Sequence, residues 1–211
     1  MTEEQKLLSG MMFRPADPAL KALKLKAHNL NIRFNQLLED QAEERMAVLK
    51  ELLGAMGEGT NLQGPIFFHY GIHTTMGARC FANFNLTVQD DGPVTIGDDV
   101  FFGPNCTLVT PLHPMVPEER VHMEDAAGNP LVLCHARPIV IEDKCWLGAN
   151  VTVCPGVTIG AGSVIGAGSV VTRDIPPRSV AVGVPCRVVR SITEQDSMAH
   201  HPELLGDYRV V

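Results

Sequence analysis

IEDKCWLGANVTVCPGVTIGAGSVIGAGSVVTRDIP, residues 141–176, repeats with a period of six. Large aliphatic side chains lead the hexads: Ile141, Leu147, Val153, Ile159, Ile165 and Val171. The leader is followed by Gly148, Gly160 and Gly166, which predicts corners with positive φ, and four places on stands a small or β-branched residue, Val151, Val157, Ser163 or Ser169. Such a period fits neither an α-helix nor one long strand. It suits strands of two or three residues joined by tight corners, wound so that like positions of successive coils stack into one buried column. Three hexads then make one turn of a triangular prism, a parallel β-helix.

The same phase appears upstream. Met76, Ala82 and Val88 lead one set of hexads and Ile96, Phe102 and Leu108 another, with two extra residues near Asp90 and Asp91 expected to bulge out between them. From Thr110 to Pro138 the pattern vanishes and then resumes, which predicts a long loop (110–138) extruded from a coil corner rather than a second domain. Loops of this kind on rigid scaffolds often carry function.

The chain has 211 residues, 45% of them hydrophobic, enough for a sizeable core, and no run approaches a membrane span. MTEEQKLLSG at the N-terminus is polar and acidic, without an apolar signal region, so a cytoplasmic location is expected and no membrane partner. Of six Cys, Cys80, Cys106 and Cys145 each fall four places after a leader, where they serve as the small core residue, and no CxxC spacing exists. Neither disulfides nor a metal are expected. A net charge of −7 with few aromatics argues against nucleic acid as a partner.

Before the prism the composition is helical: Glu3 to Gly10, Pro18 to about Leu38, and Gln41 to about Met56, with Asp17 as N-cap ahead of Pro18 and with Asn35 and Gly54 to Gly59 as punctuation. Leu20, Leu23, Leu25, Leu30, Ile32 and Phe34 form the apolar face of the second helix and Met46, Leu49, Leu52 and Leu53 that of the third, expected to pack on the first coils. Residues 62–77 read as an imperfect first coil closing the end of the prism. The division is thus 1–60 helical, 61–192 β-helix with the loop, and 193–211 a polar tail in which His200 and His201 lie at the surface.

FANFNLT (81–87), PVTIGDDVFFGPN (93–105), LHP (112–114), the run 145–177, AVGVPCRVVR (181–190) and FRPAD (13–17) together resemble the sugar O-acetyltransferases of the maltose and galactoside type. The resemblance implies a left-handed β-helix, a homotrimer, and transfer of an acetyl group from acetyl-CoA to a sugar hydroxyl. Handedness does not follow from the period, and the general preference is for right-handed crossovers.

An alcohol attacking a thioester needs a base for its proton, and histidine is the side chain suited to that at neutral pH. His113 stands at the origin of the extruded loop and occupies the family's catalytic His-Pro position. Glu118, Glu119 and Glu124 are candidates to orient it. The resemblance places the oxyanion donor at the backbone N–H of Ala149, a contact to both acceptor and cofactor at Asn83, and the coenzyme's phosphates at Arg173, Arg187 and Arg190, with Ala167 and Thr172 lining the pantetheine slot; forked guanidinium donors suit phosphate. Trp146, the only Trp, is expected to wall the acceptor or pantetheine channel. Asp17 and Asp91 match residues that hydrogen-bond sugar hydroxyls, and Asn83 sits on a corner where Asn would tolerate positive φ. Two departures bear on the acceptor: His69 replaces a small polar or acidic residue before Tyr70-Gly71, and AAGNPLVLCHAR lengthens the loop by roughly nine residues. Other readings remain open: a hexapeptide acyltransferase acting on an amino sugar, Ser or an antibiotic, or a carbonic anhydrase drawing zinc ligands from His69, His73, His113, His122 and His135.

Overall fold

Every leader points inward: Met76, Ile96, Ile141 and Ile159 form one column, Ala82, Phe102, Leu147 and Ile165 a second, and Val88, Leu108, Val153 and Val171 a third, all at most 3% exposed. The computed structural model describes residues 1–210, and in it the columns belong to the three parallel sheets of a left-handed β-helix. Sheet I comprises Ala55–Met56, Thr74–Met76, Val94–Ile96, Ile139–Ile141 and Thr158–Ile159. Sheet II runs from Asn61–Leu62 through Phe81–Ala82, Phe101–Phe102, Trp146–Leu147 and Val164–Ile165 to Ser179–Val182, and ends on the antiparallel strand Arg187–Ser191. Sheet III comprises Ile66–Phe68, Leu86–Gln89, Thr107–Val109, Thr152–Val153 and Val170–Val171. These strands make five complete coils, and the bridge of Ile175 to Ile159 with Ser179–Val182 begins a sixth. Among the described residues no helix is long and apolar enough to cross a membrane.

Positive φ falls three places after the leader, not one: at Lys144, Asn150, Gly156, Gly162 and Gly168, and upstream at Arg79, Asn85, Asp99 and Asn105. Gly148, Gly160 and Gly166 serve a different need. A Cβ there would stand 2.8 Å from Ala167 N, 2.5 Å from Pro177 N and 2.5 Å from Val182 Cγ1 respectively, so these corners pass too close to the next coil for any side chain. Asn83, one place after its leader, is accordingly not the left-handed residue of its corner; Asn85 is. Asp90 and Asp91 do not bulge into solvent either, being 0% and 4% exposed. Asp90 accepts from Tyr70 N (2.7 Å) and Thr74 Oγ1 (3.0 Å), tying two coils together.

The first coil begins at Ala55 rather than Leu62, immediately after helices α1 (Glu3–Leu8), α2 (Pro18–Gln36) and α3 (Ala42–Leu52). A solenoid's first coil leaves strand edges unpaired, and backbone groups buried there need partners. Helix α2 supplies them. Asn31 Nδ2 donates to Phe68 O (2.7 Å) and its Oδ1 accepts from Phe68 N (3.0 Å); one helical turn on, Asn35 repeats the pattern with Ile66 at 2.8 Å each way. Asn35 is therefore an interior edge-pairing residue and no punctuation. Arg45 of α3 donates to Leu37, Leu62 and Gln63 carbonyls while stacking 4.3 Å from the Phe34 ring. The buried face of α2 is Leu20, Ala27, Leu30, Asn31 and Phe34, and Leu25 and Ile32, seven residues apart, share an exposed face. Asn31→Ala is expected to orphan two buried backbone groups, each costing about 1–3 kcal/mol. A lower midpoint in chemical denaturation, with the coil spectrum retained, is the result to look for; an unchanged midpoint would mean the edge finds other partners.

The tail is surface, with His200 and His201 exposed; its last residue, 211, lies outside the described residues. All six Cys are unbridged, and Cys80, Cys106 and Cys145 are buried as small core residues.

Candidate active site

The extruded loop leaves the prism where sheet III turns toward sheet I, and its two ends zip together: Pro111–Leu112 pairs antiparallel with His135–Ala136. Further out, Met123–Glu124 pairs with Pro130–Leu131, and Cys134 bridges Phe13. His113 follows that zip directly. Its Nδ1 lies 3.4 Å from the Leu133 carbonyl, which can only accept, so Nδ1 is the donor in this contact, and the tautomer that makes it leaves the lone pair of a neutral ring on Nε2. The orienting group is thus a backbone carbonyl of the returning strand and none of Glu118, Glu119 or Glu124, which side-chain identity could not reveal.

His113 opens on a cleft of about 740 Å³ walled by the prism corner (His69, Gln89, Asp91), by Arg14, Pro15 and Ala16 with the first residue of α2, Pro18, and by the inserted loop. His69 and Asp91 occupy equivalent corners of successive coils, their nearest N and O atoms 3.9 Å apart. They do not form a charge pair. Burial, with Lys24 and the neighbouring His28 and His73 adding, pushes the His69 imidazole down to about 4, and burial together with the Asp90 carboxylate lifts Asp91 to about 6. At neutral pH the cleft floor holds a neutral imidazole beside a carboxylate. Asp91 Oδ2, Tyr70 Oη and His28 Nε2 are the buried side-chain polar atoms without hydrogen-bond partners among the described residues. All three belong to one patch, since the His28 and His69 rings are 5.5 Å apart and the His69 and Tyr70 rings 4.8 Å. Unpaired buried polar groups are costly, and of the three residues Asp91 alone lines the cleft, where a hydroxylated ligand would satisfy Oδ2. Tyr70 and His28 carried no periodic signal in the sequence.

Asp17 does not reach this floor. Its Oδ1 accepts from Ala19 N (2.9 Å) and Leu20 N (3.3 Å) as the N-cap of α2, and Oδ2 lies 3.9 Å from Arg14.

The remaining residues stand elsewhere on the prism. Asn83, Ala149 and Ala167 lie on the edge where sheet II turns into sheet III. Asn83 Oδ1 accepts from Phe84 N at 2.8 Å. At the sheet I edge the equivalent corner amides of Ala78 and Ala161 are bound by Asp98 and Glu142, whereas among the described residues those of Ala149 and Ala167 have no acceptor. Trp146 is 55% exposed on the outer face of sheet II, in register with Phe101, itself 50% exposed, and with Phe81 above that. Thr172 and Arg173 are exposed just after the last strand of sheet III. Arg187 donates to the Cys186 carbonyl at 2.7 Å, and Arg190 is held by Asp196 at 2.7 Å. Among the described residues no three His, Cys, Asp or Glu side chains gather as metal ligands do.

Residues 6–57 match the hexapeptide capping motif of maltose acetyltransferase, residues 93–112 the hexapeptide repeat of succinyl-transferase, and residues 138–173 the six-repeat bacterial transferase hexapeptide. The whole chain is 40% identical over 210 residues to the galactoside O-acetyltransferase of Escherichia coli K12, covering 97% of it. The chain belongs to the maltose and galactoside O-acetyltransferases. Among solved members of that family, a galactoside acetyltransferase in complex with coenzyme A superposes with a TM-score of 0.85 at 38% identity, covering 100% of this chain and 99% of its own. A maltose O-acetyltransferase from Clostridium difficile 630 gives 0.83 at 39%, covering 92% and 99%. The capping motif of the family ends at residue 57, so the helices that pair the first strand edge are part of the family's design and no appendage.

Proposed function

We propose that this acetyl-CoA-dependent O-acetyltransferase acts on a hydroxyl of a sugar, with His113 as general base, in sites shared between copies of a homotrimer. Nε2 of His113 takes the proton as the sugar oxygen attacks the thioester carbonyl, and the same nitrogen returns it to the departing thiolate. The Ala149 N–H is free to receive the oxyanion. Ala167 and Thr172 line the pantetheine slot with Arg173 and Arg187 toward the phosphates, and Arg190 exchanges Asp196 for phosphate. His69 and Asp91 hold the acceptor.

The observation that carries this reading is the pairing of an acceptor-like cleft around His113 with free corner amides on another edge. One side of the prism spans six residues, roughly 20 Å at a strand's rise. Reacting atoms must approach to about 3–3.5 Å. His113 therefore works with the Asn83 and Ala149 edge of a second copy, and the row of half-buried Phe81 with exposed Phe101 and Trp146 is the face that such a copy covers. An acceptor screen with acetyl-CoA, following thiol release across sugars, amino sugars, Ser and aminoglycosides, tests the class. Preference for a non-sugar would overturn it.

Asp91 gives the acceptor step a pH signature. Above about 6 it is a carboxylate that accepts from sugar hydroxyls, and below that it is protonated and accepts poorly. Acceptor KM is expected to rise as pH falls from 7 to 5, by at most about tenfold per unit, and Asp91→Asn should lose that limb. His69, already neutral above about 4, does not contribute. A KM independent of pH in the native enzyme would remove Asp91 from the acceptor site.

A further inference from the structure

One contact recurs along the prism. A buried side chain four places after a leader donates to the carbonyl of the residue that follows the next coil's leader: Thr60 Oγ1 to Gly77 (2.7 Å), Cys80 Sγ to Gly97 (3.0 Å), Cys106 Sγ to Gly148 (3.3 Å), Cys145 Sγ to Gly160 (3.3 Å) and Ser163 Oγ to Pro176 (2.9 Å). Each of these carbonyls belongs to a corner peptide, and the peptides differ in what becomes of the N–H on their other side. Those of Ala78, Asp98 and Ala161 are bound by Asp98, Asp143 and Glu142 at 2.8 Å each, and Pro177 has none. Ala149 N–H, on the Gly148 peptide, alone has no acceptor among the described residues. The Gly148 carbonyl in turn has Cys106 as its only donor among the described residues. Burial pushes that thiol up to about 11, so it stays protonated and able to donate.

We propose, resting on the reading of Ala149 N–H as the oxyanion donor, that Cys106 is a positioning residue for acetyl transfer: its thiol fixes, from inside the prism, the plane of the peptide whose N–H faces the reacting carbonyl. An amide C=O and N–H share one plane, so a donor on the carbonyl sets the direction in which the N–H points. Oxyanion stabilisation depends on that direction being set before the charge develops. Hydrogen bonds in series also polarise one another, so a bound carbonyl makes its N–H the better donor. At Cys80 and Cys145 the same contact backs amides that carboxylates already occupy, and there it serves the stability of the coil.

Thiol release is followed with the full-length enzyme and saturating acetyl-CoA, with maltose and with water as the only acceptor. Either attack forms the same oxyanion, so the ratios between variants do not depend on the sugar. The variants are Cys106→Ala, Cys106→Ser, Cys145→Ala and Ala149→Pro. The corner accepts a proline, since Pro104 holds the equivalent place one coil earlier, and proline deletes the N–H. Turnover is expected to fall about three- to tenfold in Cys106→Ala with acetyl-CoA KM unchanged, against about 10²–10³-fold for loss of the whole donor in Ala149→Pro. Cys106→Ser should stay within about twofold of native, because Thr60 and Ser163 make the same contact with hydroxyls, and so should Cys145→Ala, which loses a thiol behind an occupied amide. Equal turnover in Cys106→Ala and Cys145→Ala, with Ala149→Pro inactive, overturns the positioning role and leaves the oxyanion reading standing, as does a Cys106→Ser variant no better than Cys106→Ala. An Ala149→Pro variant that keeps more than about a tenth of native turnover overturns the oxyanion reading and the positioning role together.

Discussion

His113→Ala is expected to lower kcat by about 10²–10⁴-fold while leaving assembly and coenzyme binding intact. The side chain is exposed, stacks in none of the three core columns, and makes a single polar contact, to the Leu133 carbonyl. Truncating it opens no core cavity, and the loop ends stay zipped by Pro111–Leu112 on His135–Ala136. Proton abstraction strengthens only as the transition state forms, so the loss falls on kcat and kcat/KM equally and little on acceptor KM. Steady-state kinetics beside a sedimentation run on the same preparation is the measurement. A variant retaining more than about a tenth of native turnover is too active to have lost its general base, and His122 and His135, on the same loop, would then be the residues to replace.

How far the sequence led depends on what kind of signal each part of the molecule leaves in it. The hexad leaders are buried in three columns because a repeated environment demands a repeated residue, so period alone located the prism from Met76 to Val171. The first coil at Ala55 was hidden because its neighbours on one side are Asn31, Asn35 and Arg45, which satisfy strand edges from helices and so break the period. Corner glycines were read for the wrong reason: a period marks that Gly recurs, while whether φ or close approach demands it depends on the coil above. His113, His69 and Asp91 share one cleft although residues 69, 91 and 113 are far apart in the chain, because each lies at the same corner of the coil. What orients His113 was illegible, since the partner is the Leu133 carbonyl and every residue has one. Asp17 illustrates the converse. Its motif matched a sugar contact, yet the same Asp-Pro step is a helix N-cap, and the capping role takes Oδ1.

Mixing two inactive proteins is expected to restore activity. Ala167→Phe should abolish coenzyme binding by filling the pantetheine slot, and it should fold, since Ala167 is exposed with an ordinary φ and its corner amide is unencumbered. Its His113 edge is untouched, whereas His113→Ala leaves the Asn83, Ala149 and Ala167 edge untouched. If a site joined His113 to the slot of its own chain, every site in a mixed assembly would carry one defect and nothing would be regained. If His113 of one copy faces the slot of the next, the head-to-tail contact closes into a ring, and in a 1:1 random mixture about a quarter of the sites combine two intact halves. Denaturing the two variants together, refolding, and following thiol release should therefore return about a quarter of native turnover, with either variant refolded alone remaining inactive. Recovery at the level of the separate variants would place the whole site within one chain, which the roughly 20 Å side of the prism makes unworkable for atoms that must meet. A stable monomer with full activity would overturn the shared site outright. The aromatic row supplies the reason to expect otherwise: Phe101 and Trp146, exposed and in register beside half-buried Phe81 on one sheet face, gain more by contact with a second copy than by exposure to water.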